Sequence, residues 1–330
     1  MFFTVVACNN EVKLNDDWKE TTIIYGMINI SDTNTYLRVS KAFLGEGNAY
    51  DYAKIADSSE YNPDDISVTM EEWRNGSLQE VFSFEPFYTT EKDSGYFFSP
   101  NQIIYKANTL GQLDINSNYK VVVINKTGDT VTSSLSVVDT NLRVSQPFSN
   151  TSALPTMYKA LHFPTKVSWG SVKNGYYYDV KVSLNVLEIL QNGDSVLRNI
   201  PRGKLASKYY THTDGTQEVF EFEDSPDAFL NFLAGNTVHT DSEREADVNY
   251  RKLGSYVLEF DIAGYDFQEY VNSIYSQSIS QDVIVYSNIN NGRGLVSSRA
   301  KKYYPCQISE ILKNVIYEGD EYRYLKFKSE

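Results

Sequence analysis

Residue types that commonly carry catalysis are sparse in this chain. It has three histidines, His162, His212 and His239, and two cysteines, Cys8 and Cys306. The histidines are not at the spacings of metal-binding or triad motifs, and no Gly-x-Ser-x-Gly turn is present to hold a nucleophilic serine. We therefore expect no histidine-based catalysis. His212 is expected in an exposed loop, and Cys306 is expected to be a small core residue.

Carboxylates are abundant, with 43 Asp and Glu residues. A retaining glycosidase needs two of them about 5 Å apart, one with a raised pKa, and spacing along the chain does not identify such a pair. The acidic run 241–247 could offer oxygen ligands to Ca²⁺, but it lacks the glycine and the spacing of an EF-hand. A solvated acidic loop is the preferred interpretation, so the sequence predicts no metal site and no cofactor.

Cys8 is the cysteine with the more informative surroundings. Residues 1–7 are almost wholly apolar and end in Ala7, and the chain turns polar directly after Cys8. The segment Val5-Val6-Ala7-Cys8 resembles a lipobox, in which a peptidase cuts before the cysteine and acyl chains are added to its thiol and new α-amine. A full signal has a basic region and about 7 to 15 apolar residues, so residues 1–7 are predicted to be the remnant of a longer signal. The alternative is a buried first strand with an incidental thiol.

Composition describes the body of the protein as globular and acidic. The 330 residues are 41% hydrophobic and 22% charged, which suffices for two ordinary domains. The net charge of −13 repels phosphates, so no nucleic acid partner is expected. No later stretch has the ~18 apolar residues of a membrane span, so attachment to a membrane would come through Cys8.

Alternating hydrophobicity predicts strands in the first half of the chain. Residues 8–20 are polar and are interpreted as a tether, and residues 21–145 as an immunoglobulin-like β-sandwich. A hairpin is expected between strands near Tyr25 and Tyr36. The dipeptide Asn75-Gly76 predicts a second hairpin with a type I′ turn, because both residues tolerate positive φ.

The turn-rich segment 146–154 is predicted to separate a second sandwich, residues 155–330, with two or three inserted helices. Trp169 is expected to pack in its core against the tyrosine-rich strand that follows. Ser225-Pro226 predicts the start of one helix and residues 266–276 repeat at helical spacing. Strands are predicted at 282–286 and 322–327. The fold class is therefore all-β, mainly antiparallel, with two sandwiches.

Two segments resemble a known family. Residues 167–180 and 285–299 are similar to outer-membrane lipoproteins of Bacteroidota that share a domain without an assigned function. The likeness extends loosely over most of the chain and departs where Leu295-Val296 replaces Ile-Phe. It implies a periplasmic or cell-surface lipoprotein, often encoded near TonB-dependent transporters, and it supplies no reaction. The glycines Gly292 and Gly294 are interpreted as a tight turn or bulge.

Aromatic residues give the best prediction of a binding surface. Those expected in loops or near strand ends are Trp18, Tyr50, Tyr52, Trp73, Tyr88 and Tyr96. Trp73, Tyr88 and Tyr96 are the predicted binding residues, with packing in the core or at its rim as the alternative.

These observations predict a non-enzymatic protein lipid-anchored to the outer membrane. Its expected role is a binding or accessory subunit of an outer-membrane complex, such as one for nutrient uptake, with a transporter or another envelope protein as partner. The alternative is an adhesin or glycan-binding module that acts alone. Hydrolase activity is a third hypothesis, which requires a pocket with two converging carboxylates.

Overall fold

The computed structural model describes residues 21–42, 55–90, 102–148, 153–212, 216–277 and 285–329. The predicted lipidation site Cys8, the tether, and the aromatic residues Trp18, Tyr50, Tyr52 and Tyr96 lie outside these ranges. The chain is mostly β-structure, and its sheets pack face to face with a few short helices, which confirms the all-β sandwich class.

The first half contributes short strands. They are β1 (Thr21–Ile28), β2 (Asn34–Ala42), β3 (Ile66–Arg74), β4 (Ser77–Ser83), β5 (Glu85–Thr89), β6 (Gln102–Asn108), β7 (Asn118–Asn125), β8 (Thr130–Ser136) and β9 (Val144–Gln146). A short helix α1 (Ala56–Ser59) and a 3-10 helix η1 (Pro63–Asp65) precede β3.

Both predicted hairpins are present. Tyr25 of β1 lies opposite Arg38 of β2. Between β3 and β4, Asn75 has φ 51° and Gly76 has φ 78°, the left-handed conformation that a type I′ turn requires at both positions. Local sequence therefore specified these two turns.

The second half contains longer strands and more helix. Its strands are β10 (Thr156–Met157), β11 (Thr165–Gly170), β12 (Tyr177–Leu190), β13 (Ser195–Tyr209), β14 (Val219–Asp224), β15 (Val248–Ala263), β16 (Ile289–Asn290) and β17 (Gly292–Ile308). Its helices are α2 (Pro226–Asn236), α3 (Ser242–Asp247), α4 (Tyr265–Gln277), α5 (Glu310–Glu318) and the 3-10 helix η2 (Asp320–Leu325). The predicted cap is in place, since Ser225 Oγ accepts a hydrogen bond from the Ala228 N–H at 3.1 Å.

The strands in the described ranges form one large sheet and two smaller ones. The large sheet has the order β13-β12-β15-β17-β1-β2-β6-β5, with β10 also paired to β17. A second sheet, β16-β8-β7-β3-β4, faces its β1 end, and a third, β14-β11-β9, faces its β12 end. We call the two resulting layered units the first and second sandwich.

Strand β17 belongs to both sandwiches. Its first residues pair in parallel with β1, where Leu295 lies opposite Tyr25, and its later residues pair antiparallel with β15, where Cys306 lies opposite Tyr256. Ser298 lies where the two pairings meet. Its hydroxyl donates to Ile28 O at 2.9 Å and accepts from the Val138 N–H at 2.8 Å. The sandwiches are thus joined by a continuous strand, and the predicted boundary at 146–154 stays a prediction about independent folding.

Each sandwich has its own apolar core. The first is built around Met70, Tyr119 and Leu37, and it also takes up Val296 of β17. The second is built around Trp169, which is fully buried and lies 5.2 Å from Phe260 and 6.5 Å from Tyr178 between ring centroids. The predicted packing of Trp169 against a tyrosine-rich strand is confirmed.

Three local predictions need correction. Residues 322–327 form the end of η2 and a single bridge rather than a strand, because the chain turns after α5 to bury Leu325 and Phe327, with Lys326 in the left-handed conformation. Val285 and Tyr286, the described part of the strand predicted at 282–286, are not in a strand. The acidic run 241–247 is helix α3 and its N-cap, because Asp241 caps it and Glu245 pairs with the buried Arg251.

Candidate functional site

The predicted binding residues do not converge. Trp73 is half-buried on β3, and its indole N–H donates to Glu71 Oε2 at 2.8 Å. Tyr88 is 64% exposed on β5, the edge strand of the large sheet. These two residues lie in different sheets, and Tyr96 is outside the described ranges, so the structure assembles no site from them.

A large cleft lies at the end of the second sandwich that faces the first. Its volume is about 920 Å³, near the upper end of the ~300–1,000 Å³ of typical ligand sites. The walls are the turn 171–176, the segments at 210–212 and 216–217, and the start of α4. We call this cavity the tyrosine cleft.

Three tyrosines meet in the tyrosine cleft. The ring centroid of Tyr176 lies 5.4 Å from that of Tyr210 and 5.4 Å from that of Tyr265, both in T-shaped geometry. His212 extends the group, 5.9 Å from Tyr210. Tyr265 is 50% exposed, so its ring is open to a ligand.

Strand ends hold these rings in place. The Tyr176 N–H donates to Ala263 O at 2.9 Å, and the Tyr210 N–H donates to Tyr176 O at 2.7 Å. Tyr265 begins α4 directly after β15. Edge-to-face ring contacts add about 0.5–1.5 kcal/mol each beyond buried area, so the cluster is preorganised by both backbone and ring packing.

Tyr178 holds the turn 171–176 through two hydrogen bonds. Its hydroxyl accepts from the Val172 N–H at 2.9 Å and donates to Gly175 O at 3.1 Å. Burial raises the pKa of Tyr178 well above its usual value, so the hydroxyl stays protonated. The cleft wall is therefore held by a buried, neutral hydrogen-bonding group.

Amide groups supply the polar chemistry of the tyrosine cleft. Gln268 Oε1 is buried and has no hydrogen-bond partner within the described part of the chain. Gln217 is exposed on the opposite wall. The described lining includes Lys173 and His212 but no carboxylate. Amide side chains in a cleft lined by aromatic rings suit an uncharged ligand that carries hydroxyl groups.

A second, smaller cleft adjoins the first. Its volume is about 380 Å³, and it shares Asn174, Tyr176 and Tyr265 with the tyrosine cleft. Its far wall includes Ser136 of the first sandwich and Ser297 of β17. We call it the junction cleft, because it lies where the sandwiches meet.

An acidic residue lies at the edge of the junction cleft. Asp266 accepts a hydrogen bond from the Tyr286 hydroxyl at 2.8 Å, and burial raises the pKa of this carboxyl above its usual value. The described lining of this cleft contains no second carboxylate.

The structure also locates the other residues of chemically reactive type. Cys306 is fully buried, and burial raises the pKa of its thiol to about 12, which confirms a core role. His212 is exposed, as predicted. Within the described ranges, no group of three or more His, Cys, Asp or Glu side chains is arranged to hold a metal ion. No described helix is long and apolar enough to cross a bilayer.

The tyrosines of the cleft were missed because their segments are far apart in sequence. Tyr176 opens the run Tyr176-Tyr177-Tyr178, and Tyr210 closes Tyr209-Tyr210. Alternation of side chains along a strand does not single them out, because Tyr177 and Tyr178 are both buried and Tyr209 and Tyr210 are both half-buried. The excess of 26 tyrosines over 17 phenylalanines was the compositional signal.

Comparison with known proteins gives weak likenesses. No family model and no curated protein matches the sequence. A tetra-tandem repeat from the extending region of a large adhesion protein is 10% identical, with 86% of this chain and 49% of that chain covered and a TM-score of 0.20. The C-terminal globular domain of an oligosaccharyltransferase from Pyrococcus abyssi is 11% identical, with 88% and 50% covered and a TM-score of 0.21. This chain spans about half the length of each, and at these TM-scores neither carries an argument.

Proposed function

We propose that this protein is a non-enzymatic carbohydrate-binding protein of the bacterial cell envelope, held there by acyl chains on Cys8. The observation that carries the binding function is the cluster of Tyr176, Tyr210 and Tyr265 in one cleft, whose lining also includes Gln268. A sugar ring has apolar C–H faces that pack on aromatic rings and hydroxyls that pair with amides.

The energetics favour a ligand that donates hydrogen bonds. A buried polar atom left without a partner costs about 1–3 kcal/mol. A sugar hydroxyl reaches Gln268 Oε1 when the side chain turns towards the cleft, and the pairing then removes that cost. Retaining hydrolysis needs two carboxylates about 5 Å apart, whereas the described lining of the tyrosine cleft has none. The cleft thus supports binding better than it supports cleavage.

Binding is tested on a glycan array with matched tyrosine variants. Tyr265→Ala removes an exposed ring of the cleft, and Tyr324→Ala removes a ring that is 54% exposed on η2, away from it. We expect the wild type and Tyr324→Ala to retain the same neutral glycans, and Tyr265→Ala to retain them about tenfold more weakly. Binding to no glycan, or equal retention by both variants, would contradict the proposal.

The anchor is tested separately in the native bacterium. Each acyl CH₂ contributes about 0.8 kcal/mol to membrane affinity, and two or more chains are needed for stable attachment. Cys8→Ser, made in the gene with its complete signal, should move the protein from the outer membrane to the soluble fraction. Cys306→Ser is the control and should stay with the membrane. If Cys8→Ser still fractionates with the outer membrane, attachment through Cys8 is contradicted.

A second candidate function is an accessory subunit of an outer-membrane complex. It is favoured by Tyr25, Tyr36 and Phe87, which are exposed on the outer face of the large sheet. Tyr36 and Phe87 pack edge to face at 6.3 Å. Affinity purification from native membranes tests it. A barrel transporter recovered with the wild type and lost with Tyr36→Ser/Phe87→Ser supports the role, and equal recovery with both proteins excludes this surface.

A further inference from the structure

We propose that the tyrosine cleft and the junction cleft form one groove for a neutral oligosaccharide longer than a disaccharide, which crosses from the second sandwich onto the first. The inference rests on the proposed carbohydrate-binding function and specifies the length, charge and path of the ligand.

The two clefts adjoin. Asn174, Tyr176 and Tyr265 line both of them, and the proposed groove joins the clefts at these residues, so an oligosaccharide that packs on Tyr265 extends into both. The tyrosine cleft alone has the volume of a complete small-ligand site. An oligosaccharide that fills the tyrosine cleft and also enters the junction cleft must therefore be longer than one that the tyrosine cleft holds alone.

The junction cleft has an unsatisfied polar group in its lining. Ser297 is 1% exposed and lines the junction cleft, and its Oγ has no hydrogen-bond partner in the described ranges. Gly264 lies in front of it, since a Cβ added there would lie 3.2 Å from Ser297 Oγ. The hydroxyl is buried against Gly264, so a polar group of a ligand pairs with it only where the lining of the junction cleft yields on binding.

The junction cleft is also lined by residues of the first sandwich. Ser134, Leu135 and Ser136 of β8 line it, and the Ser136 hydroxyl donates to Asn118 Oδ1 at 2.8 Å. A ligand that reaches Ser297 therefore contacts residues of both sandwiches.

The charges along the groove favour an uncharged chain. Lys173 and His212 line the tyrosine cleft, and Asp266 lines the junction cleft. An anionic chain that fills both would meet the Asp266 carboxylate, and a cationic chain would meet Lys173, so like charges would oppose either one. A neutral oligosaccharide meets neither repulsion, and its hydroxyls pair with serine and amide side chains.

Ligand length is the first test. The glycan retained most strongly on the array is prepared as a ladder from disaccharide to hexasaccharide and titrated calorimetrically into the full-length protein. Wild-type affinity should rise past the disaccharide as the chain reaches the junction cleft. Affinity that is constant from the disaccharide upward overturns the continuous groove while leaving carbohydrate binding intact.

Ser297→Ala locates the second part of the groove. The variant should bind the disaccharide like the wild type and lose about fivefold in affinity for the longer chains, the effect of one hydrogen bond. Its thermal midpoint should equal or exceed that of the wild type, because an unpaired buried hydroxyl is removed. If Ser297→Ala binds glycans of every length with the affinity of the wild type, the inference is contradicted. Retention of no glycan at all by the wild type overturns the proposed function itself.

Discussion

Gly294 shows how tightly single residues constrain the junction of the two sandwiches. It lies in β17 with φ 118°, a backbone conformation that residues other than glycine rarely adopt. A Cβ at this position would lie 2.1 Å from Ile24 O of β1. The sequence predicted that Gly292 and Gly294 allow a tight turn or bulge between two strands. The chain turns at Asn291, between β16 and β17, and Gly294 itself lies at a close approach of two paired backbones.

Gly294→Ala is therefore expected to be strongly destabilising. Both the positive φ and the collision with the β1 backbone oppose it, so we expect a loss of about 3 kcal/mol or more in the free energy of unfolding. Gly193→Ala is the control. Gly193 also has positive φ, 90°, but an added Cβ would have nothing within 4 Å, so it should cost only about 1 kcal/mol. Urea denaturation compares the two, and equal losses would contradict the close-approach argument.

Among the elements, the short helix α3 is fixed to the second sandwich by a buried charge network. Arg251 of β15 is fully buried and donates to Glu188 Oε1 at 3.0 Å and to Glu245 Oε1 at 3.1 Å. His239 Nε2 lies 2.8 Å from Glu188 Oε2. Removing one partner from such a network leaves an uncompensated charge, which costs about 3–5 kcal/mol when the group is fully buried.

The network predicts acid sensitivity that depends on Glu245. Burial opposes ionisation of this carboxyl, but hydrogen bonds from Arg251 and from the His239 backbone outweigh burial and lower its pKa from 4.5 to about 2. The unfolded chain therefore binds more protons between these values, so this stabilisation is complete above pH 4.5 and is lost as the pH falls towards 2.

Urea unfolding between pH 7 and pH 2 tests this dependence. Glu245→Gln should lower stability at pH 7 by about 1–3 kcal/mol and reduce the further loss on acidification. Glu243→Gln, exposed on the same helix, should follow the wild type throughout. A Glu245→Gln profile parallel to that of the wild type would contradict the assignment.

How far the sequence predicted an element depended on how local its determinants are. The Asn75-Gly76 turn and the Ser225 cap were predicted because neighbouring residues specify them. The strand expected at 322–327 was wrong, because tertiary burial of Leu325 and Phe327 overrides local alternation. The pairing of β1 with β17 was not predicted, since the two strands are separated by most of the chain. The tyrosine cleft shares this non-local origin.

At the scale of the whole molecule, β17 should couple the unfolding of the two sandwiches. It contributes Val296 to the first core and Cys306 to the second, so neither core keeps its full sheet when the other unfolds. We expect one cooperative transition.

Single-tryptophan variants measure this coupling. Trp18→Phe/Trp169→Phe leaves Trp73 in the first sandwich, and Trp18→Phe/Trp73→Phe leaves Trp169 in the second. In each variant, tryptophan fluorescence and far-ultraviolet circular dichroism should give the same urea midpoint. Separated midpoints would show that the sandwiches unfold independently, in line with a domain boundary at 146–154.

The central claim is that the tyrosine cleft binds carbohydrate, and amide hydrogen exchange of the full-length protein with the best-retained oligosaccharide tests it most directly. We predict slower exchange at 171–176, 210–212 and 265–268, and unchanged exchange around Trp73 and Tyr88. Protection confined to Trp73 or Tyr88, with none in the tyrosine cleft, would contradict the account.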